Sequence, residues 1–248
     1  MNALKKIYDK NELTFALMWI GIYVVLLSLA NSISAGIGVD FSAHAVLNVL
    51  LTVSLFLFIK KNGLMEKYGL CKTSVPASKF LWYIPLVLLA SHNLWNGVTM
   101  NLPVAGTVCY IIHMICVGFM EEVIFRGLLF KAIAKDNVKE AIIISSVTFG
   151  MGHIVNLFNG SGMELFSNVC QVVGAIAIGF LFVLIYHRGG SLISCIVTHS
   201  AIDVASVFNN GDMTTEVHIL FTLSRLVIVV AYTLVLLKTL PKAETVKQ

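Results

Sequence analysis

Residues 103–133 read PVAGTVCYIIHMICVGFMEEVIFRGLLFKAI, an apolar run that predicts one long membrane-spanning helix. Three charged side chains, Glu121, Glu122 and Arg126, interrupt this run before it reaches Lys131. A charged side chain at the centre of a bilayer costs about 2.5–3.5 kcal/mol on insertion scales, so such residues are rare and mark candidate functional sites. The segment therefore predicts a membrane helix and the position of a site within it.

The composition of the whole chain also indicates a membrane protein. Hydrophobic residues make up 58% of the 248 residues and charged residues only 12%, with a mean hydropathy of +0.88, whereas soluble domains contain about 25% charged residues. The length allows about eight spans of roughly 20 residues with short loops. The sequence therefore predicts an all-α, polytopic fold that forms a single membrane domain over residues 1–248. No cluster of Lys and Arg is interleaved with aromatic residues, which argues against nucleic acid as a partner.

Eight apolar segments are the predicted spans. The first follows three lysines, as in a signal peptide, but its apolar run is longer than the 7–15 residues of a typical signal, which favours a retained helix. The third contains Pro85, which neighbouring helices can accommodate in a membrane. The approximate bounds are 13–30, 43–59, 80–96, 103–133, 140–157, 165–187, 191–208 and 217–237.

The basic residues predict the orientation of these spans. With eight spans, 15 of the 17 Lys and Arg fall in segments on one side of the membrane. Loops on the other side contain Asp40, Glu164, Asp212 and Glu216 but no Lys or Arg. Under the positive-inside rule both termini are cytoplasmic. The basic residues on the cytoplasmic side are Lys5, Lys6, Lys10, Lys60, Lys61, Lys67, Lys72, Lys79, Lys131, Lys135, Lys139, Arg188, Lys238, Lys242 and Lys247.

Two other spans contain ionisable groups at a depth similar to that of Glu121. With a helical rise of about 1.5 Å per residue, Glu121 lies roughly 15 Å and His153 roughly 20 Å from the cytoplasmic end. His199 and Asp203 lie at roughly 12 and 18 Å by the same rise. The sequence therefore predicts that three helices enclose one polar cavity in the cytoplasmic half of the membrane.

Helical periodicity separates the two adjacent glutamates. Glu122 and Arg126 are four residues apart and can form an ion pair. Glu121 projects about 100° away from Glu122 and is therefore expected to stay outside this pair. The same four-residue spacing joins two more pairs of candidate residues: His199 with Asp203, and Phe149 with His153.

These residue types favour hydrolysis by an activated water. A carboxylate and an imidazole on either side of a water can act as general base and as the group that orients the water or protonates the leaving group. A second imidazole with a polar neighbour can donate hydrogen bonds to a developing oxyanion. Zinc is the competing interpretation, because Glu121, His153 and His199 are adequate ligands and zinc lowers the pKa of its bound water. The sequence has no HExxH motif.

Several other interpretations stay open. Polar residues also join membrane helices by hydrogen bonds worth about 0.6 kcal/mol on average. Arg225 in the last span is expected to pair with Asp203 or Glu122, or to stabilise packing. A transporter would show internal repeats, of which none is clear. Three serines at spacings compatible with a serine intramembrane protease are Ser145, Ser146 and Ser194. The histidines interpreted as joining helices are His92, His113 and His218.

At these positions the chain resembles the CPBP family of intramembrane proteases, also called the Abi or CAAX-protease family. This family includes the type II CAAX prenyl endopeptidase and bacterial proteins of bacteriocin processing and immunity. Its pattern is EExxxR, then FxxxH, then HxxxN or HxxxD, on successive helices. The chain has EEVIFR at 121–126, FGMGH at 149–153 and HSAID at 199–203. The matching core covers about residues 103–208.

The resemblance implies a peptide hydrolase. It implies that Glu121 and His153 activate water, and that His199 and Asp203 form the oxyanion-stabilising pair. An Asp stands where the prenyl endopeptidase has Asn, and Asp offers no amide donor unless it is protonated, so Asp203 is expected to orient or charge His199. The residues implied to shape and support the site are Glu122, Arg126 and Phe149.

The resemblance and the small, Lys-rich chain together indicate a bacterial plasma-membrane protein. The expected substrates are peptides, such as bacteriocin precursors, or membrane-protein segments cleaved near the cytoplasmic face. The alternative is a non-catalytic immunity or scaffold protein that binds and sequesters a peptide or partner. The sequence leaves zinc dependence and oligomeric state open.

Overall fold

A computed structural model describes residues 3–158, 162–211 and 213–242, apart from the side chains of Asn31 and Ser32. Asp212 and Lys247, which contribute to the predicted charge asymmetry, lie outside the described residues. In the described part of the chain every regular element is a helix, which confirms the all-α class. The helices are α1 (Ala3–Lys10), α2 (Glu12–Ile37), α3 (Ser42–Lys61), α4 (Ile84–Ser91), α5 (Val104–Glu121), α6 (Phe130–Ala134), α7 (Val138–Gly152), α8 (Leu165–Gly189), α9 (Ile193–Ser206) and α10 (Thr215–Thr239).

Four short segments have other helical geometries. A π-helix, Glu122–Leu129, joins α5 to α6, so that Val104–Ala134 forms one helical segment of 31 residues. A 3₁₀ segment, His153–Leu157, extends α7. Two more 3₁₀ segments, Ala77–Tyr83 and His92–Leu94, flank α4.

Six segments in the described residues are long and apolar enough to cross a membrane. They correspond to the predicted spans one, two, four, five, six and eight. The predicted seventh span is the 14-residue helix α9, which is roughly 21 Å long at the α-helical rise and therefore shorter than a full span. The predicted third span contains only the eight residues of α4 as α-helix. The predicted count of eight membrane-spanning helices is therefore not confirmed.

The break in the third segment has a local cause in the backbone. Leu81, Trp82 and Tyr83 have φ angles of 50°, 50° and 60°, in the left-handed region that residues with a side chain rarely adopt. The α-helix begins after them at Ile84, with Pro85 in its first turn. A proline suits that position because the first backbone N–H groups of a helix have no intrahelical partner. Pro85 therefore begins a helix here, whereas the sequence predicted it inside one.

Contacts between loops define two ends of the helix bundle. At one end, which we call the basic end, the Glu12 carboxylate at the start of α2 binds Lys67 at 2.6 Å and Lys135 at 2.9 Å. At the opposite end, the Asn101 side chain donates hydrogen bonds to two backbone carbonyls in the segment after α9. The basic loops after α3 and α6 therefore meet at the same end, as the charge pattern predicts.

Two glycines bring the helices of the candidate site close together. A Cβ atom on Gly118 of α5 would lie 2.6 Å from the backbone nitrogen of Ser200 on α9. A Cβ atom on Gly150 of α7 would lie 2.7 Å from the backbone nitrogen of Ile176 on α8. Small residues allow such close approach between membrane helices. These contacts fix the spacing of α5 from α9 and of α7 from α8.

Candidate active site

The two adjacent glutamates lie where α5 changes to π-helical geometry. α5 ends at Glu121, and the π-helix begins at Glu122. All eight residues of the π-helix are buried, so this irregular segment is enclosed by protein. π-helical turns are rare and occur frequently at functional sites. The local geometry therefore marks the same position that the charged residues mark in the sequence.

Glu122 and Arg126 form the predicted ion pair. Arg126 Nη1 donates to Glu122 Oε1 at 3.0 Å, and both side chains are fully buried. The guanidinium carbon of Arg126 lies 3.9 Å from the centre of the Phe149 ring, a cation–π contact between the π-helix and α7. Phe149 therefore supports the ion pair directly, which agrees with its expected position beside the site.

His199 lies among three carboxylates. Its Nδ1 is 2.8 Å from Glu122 Oε1, and its Nε2 is 3.3 Å from Asp203 Oδ2 and 3.8 Å from Glu121 Oε2. The His199–Asp203 contact follows the predicted four-residue spacing. The contact between Glu122 and His199 was not predicted, because it joins two helices whose relative rotation cannot be obtained from the periodicity of either one.

The Glu122 contact determines how His199 presents its second nitrogen. The partner of one ring nitrogen determines which nitrogen is protonated and how the ring is oriented. With Nδ1–H donating to Glu122, Nε2 is directed at Asp203 and Glu121. His199 can then donate from Nε2 only in its doubly protonated form.

His153 lies near this cluster without joining it directly. Its ring centre is 5.6 Å from that of Phe149, and the Phe149 ring is 5.6 Å from that of His199, both in edge-to-face geometry. Within the described residues no ion pair joins His153 to Glu121 or Asp203. The His153 carbonyl accepts a hydrogen bond from the buried Asn168 side chain at 2.8 Å, which ties the end of α7 to α8. The structure therefore places both histidines in contact with the Phe149 ring.

Several other polar residues join helices rather than extend this cluster. Arg225 lies against α8, where a Cβ atom on Gly174 would be 3.7 Å from its Nη1. No ion pair of Arg225 with Asp203 or Glu122 is found within the described residues, so the packing interpretation describes it better. The polar contacts of the remaining candidates are His92 with Ser224 at 3.0 Å, His113 with Asn48 at 2.9 Å, and Ser145 with the Phe125 carbonyl at 2.8 Å.

The predicted cavity and the predicted zinc site both concern the space between the candidate site residues. Two pockets in the described residues lie at the surface, one beside Glu12 and Lys135 and one beside Arg188, and neither includes a candidate site residue, so the polar cavity is not confirmed. Within the described residues, no three His, Cys, Asp or Glu side chains are arranged to hold a metal ion. The zinc set proposed from the sequence does not fit a metal in this arrangement. Zinc dependence stays a prediction for metal analysis to test.

The fold and the site define an integral membrane protein with a charged cluster enclosed by apolar helices. Residues 103–205 match the family described as type II CAAX prenyl endopeptidase Rce1-like. This match supports membership of the CPBP family of intramembrane proteases, which the three motifs predict. No curated protein and no solved structure matches the chain significantly.

Proposed function

We propose that this chain is an intramembrane endopeptidase that hydrolyses a peptide bond with a water activated by Glu121 and His153. The observation that carries the proposal is the convergence of carboxylates on His199, with Asp203 at 3.3 Å and Glu121 at 3.8 Å from the same ring nitrogen. Such a concentration of charge in an apolar helix bundle exceeds what helix association requires. The match of residues 103–205 to a protease family supports the same reaction class.

Exposure distinguishes the roles of the two glutamates. The Glu121 side chain retains 18% of its accessible surface, whereas Glu122 retains none. In the proposed reaction Glu121 takes a proton from the water as general base while the water oxygen attacks the carbonyl carbon of the peptide. The amine nitrogen then receives a proton from His153 or from Glu121, the C–N bond breaks, and a carboxylate and an amine are released.

The remaining charged residues have supporting roles in this proposal. Glu122 positions His199 through Nδ1, and Arg126 balances the charge of Glu122. Doubly protonated His199 would donate from Nε2 to the negatively charged oxygen of the tetrahedral intermediate. Asp203 lies close enough to Nε2 to orient the ring and to balance its charge.

A hydrolysis assay with metal removal tests the proposed chemistry. The purified protein would be placed in lipid vesicles with a library of short apolar peptides that fluoresce on cleavage. We expect cleavage that a chelator does not reduce, because a carboxylate and not a metal activates the water. Loss of cleavage on chelation, restored by zinc alone, would support the zinc mechanism instead. A folded protein that cleaves no peptide would contradict the endopeptidase proposal.

The proposed cleavage near the cytoplasmic face depends on the orientation of the bundle. We propose that the basic end faces the cytoplasm of a bacterial plasma membrane and that both termini are cytoplasmic. This is supported by the contacts of Glu12 with Lys67 and Lys135, and by the hydrogen bond from Thr239, at the end of α10, to the Lys79 carbonyl. Fusions at either terminus should activate a cytoplasmic reporter, and a fusion at Asp40 should activate only an exported one. An active exported reporter at either terminus would contradict this orientation.

The substrates proposed for this site are peptides or membrane-protein segments. The family resemblance supports bacteriocin precursors as one case, in processing or in self-immunity. A second candidate is a non-catalytic immunity or scaffold protein that binds and sequesters a peptide or partner, favoured by Asp203, which has no amide to donate to an oxyanion. Protection of a host by wild type but not by Glu121→Gln at matched expression supports catalysis, whereas equal protection supports sequestration.

A further inference from the structure

The proposed hydrolysis needs a hydrogen-bond donor that Asp203 does not supply. Negative charge develops on the carbonyl oxygen of the peptide during attack, and one positioned donor is worth about 10²–10³ in kcat. An ionised carboxylate only accepts hydrogen bonds. Asp203 also lies 3.3 Å from His199 Nε2 and therefore competes for the proton that His199 would donate. Both ring nitrogens of His199 therefore already contact carboxylates, and the reaction needs a further hydrogen-bond donor.

Tyr23 on α2 has a hydroxyl group suited to this position. Its side chain is buried, with 5% of its surface exposed, and its hydroxyl has no hydrogen-bond partner within the described residues. The helix that carries it, α2, packs against the π-helix that begins at Glu122. Buried tyrosine hydroxyls usually have a partner. An unpaired hydroxyl on a helix that packs against the π-helix can therefore bind a substrate atom without breaking an existing hydrogen bond.

The packing of α2 holds the Tyr23 ring against the site. Tyr23 belongs to the same buried cluster as Met120 of α5 and Val123 and Ile124 of the π-helix, which flank the two glutamates in the sequence. Trp19, one helical turn earlier, packs in the same cluster. A ring fixed by such contacts limits where its hydroxyl can point, as an oxyanion donor requires.

We propose that Tyr23 is a further catalytic residue, whose hydroxyl donates a hydrogen bond to the carbonyl oxygen of the bound peptide as that oxygen becomes negatively charged. Tyr23 keeps its proton throughout, and the proton transfers stay with Glu121 and His153. The inference rests on the proposed peptidase function. Catalytic hydrogen bonds are often long or absent without substrate and form in the bound complex.

Removal of one hydroxyl tests the proposal with a matched control. In Tyr23→Phe we expect kcat for the best peptide of the cleavage library to fall about 10²–10³-fold with KM nearly unchanged, because the bond forms only in the transition state. The thermal stability should not fall, since the hydroxyl has no partner to lose. The control Tyr232→Phe removes a buried hydroxyl on α10 that donates a hydrogen bond to the Phe80 carbonyl at 2.8 Å. This variant should keep the wild-type kcat.

A double variant separates this role from a structural one. Asp203→Asn introduces an amide donor, so Tyr23→Phe combined with Asp203→Asn should lose less activity than the product of the two single losses. Wild-type kcat in Tyr23→Phe, or losses that simply multiply in the double variant, would overturn the assignment while leaving the peptidase proposal intact. Absence of cleavage by the folded wild-type protein would overturn both.

Discussion

Replacement of Glu121 by Gln is expected to lower the rate of peptide hydrolysis by about 10²–10⁴-fold, the usual contribution of a general base. Glutamine keeps the size of the side chain but cannot accept the proton of the attacking water. Among the described residues the ion-pair contact of Glu121 is with His199 Nε2 at 3.8 Å, so the substitution removes no close ion pair. The measurement is kcat in lipid vesicles, together with a thermal unfolding curve to show that the variant is folded.

Glu66→Gln provides the matched control for this experiment. Glu66 is an exposed glutamate in the loop after α3, at the basic end and outside the charged cluster. We expect it to retain wild-type kcat, which shows that the loss of one carboxylate does not by itself impair the protein. Full activity in folded Glu121→Gln would exclude Glu121 as the base. An equal loss in both variants would indicate a general effect of charge.

Sequence periodicity predicted those parts of the site that lie within one helix. The Glu122–Arg126 pair and the His199–Asp203 contact both follow the four-residue spacing. The separation of Glu121 from the ion pair also follows, because adjacent residues on a helix project in different directions. Each of these relations depends only on the geometry of a single helix.

Relations between helices could not be predicted in this way. The contact of Glu122 with His199 depends on how α5 and α9 rotate about each other, and this is determined by packing where Gly118 meets Ser200. Tyr23 lies in the first span, outside the matching motifs, and only the folded structure places its ring in one buried cluster with Met120 and Val123. The charge pattern and the spacing of residues predict neither the Glu122–His199 contact nor the position of Tyr23.

The predicted third span shows which part of the fold could not be predicted from hydropathy. Hydropathy predicted a continuous span, because an apolar composition does not distinguish an unbroken helix from a short helix between tight turns. The left-handed backbone at Leu81, Trp82 and Tyr83 ends the first turn before Pro85 begins α4. The segment still buries Phe80, Leu86 and Leu89 in one cluster with residues of α8 and α10.

Replacement of Arg126 by Met is expected to lower the free energy of unfolding by about 3–5 kcal/mol, the usual cost of removing one partner from a buried ion pair. Methionine fills part of the space of the arginine side chain but leaves the Glu122 charge without its guanidinium partner. Glu122 is fully buried and has no access to water that could replace this contact. The measurement is the loss of folded protein on titration with a denaturing detergent.

A second ion pair in the same chain gives the control, because it has the same chemistry with different burial. Lys135 pairs with Glu12 at 2.9 Å, but its side chain is 51% exposed, so Lys135→Met should cost no more than about 1 kcal/mol. The double variant Glu122→Gln/Arg126→Met removes both buried charges and should recover part of the stability lost in Arg126→Met. Equal losses for Arg126→Met and Lys135→Met would contradict burial of the Glu122–Arg126 pair as the cause of the larger effect. The double variant is also expected to regain stability without regaining hydrolysis, because the introduced glutamine would no longer hold His199 Nδ1 through a carboxylate. That outcome would support a role of Glu122 in positioning His199.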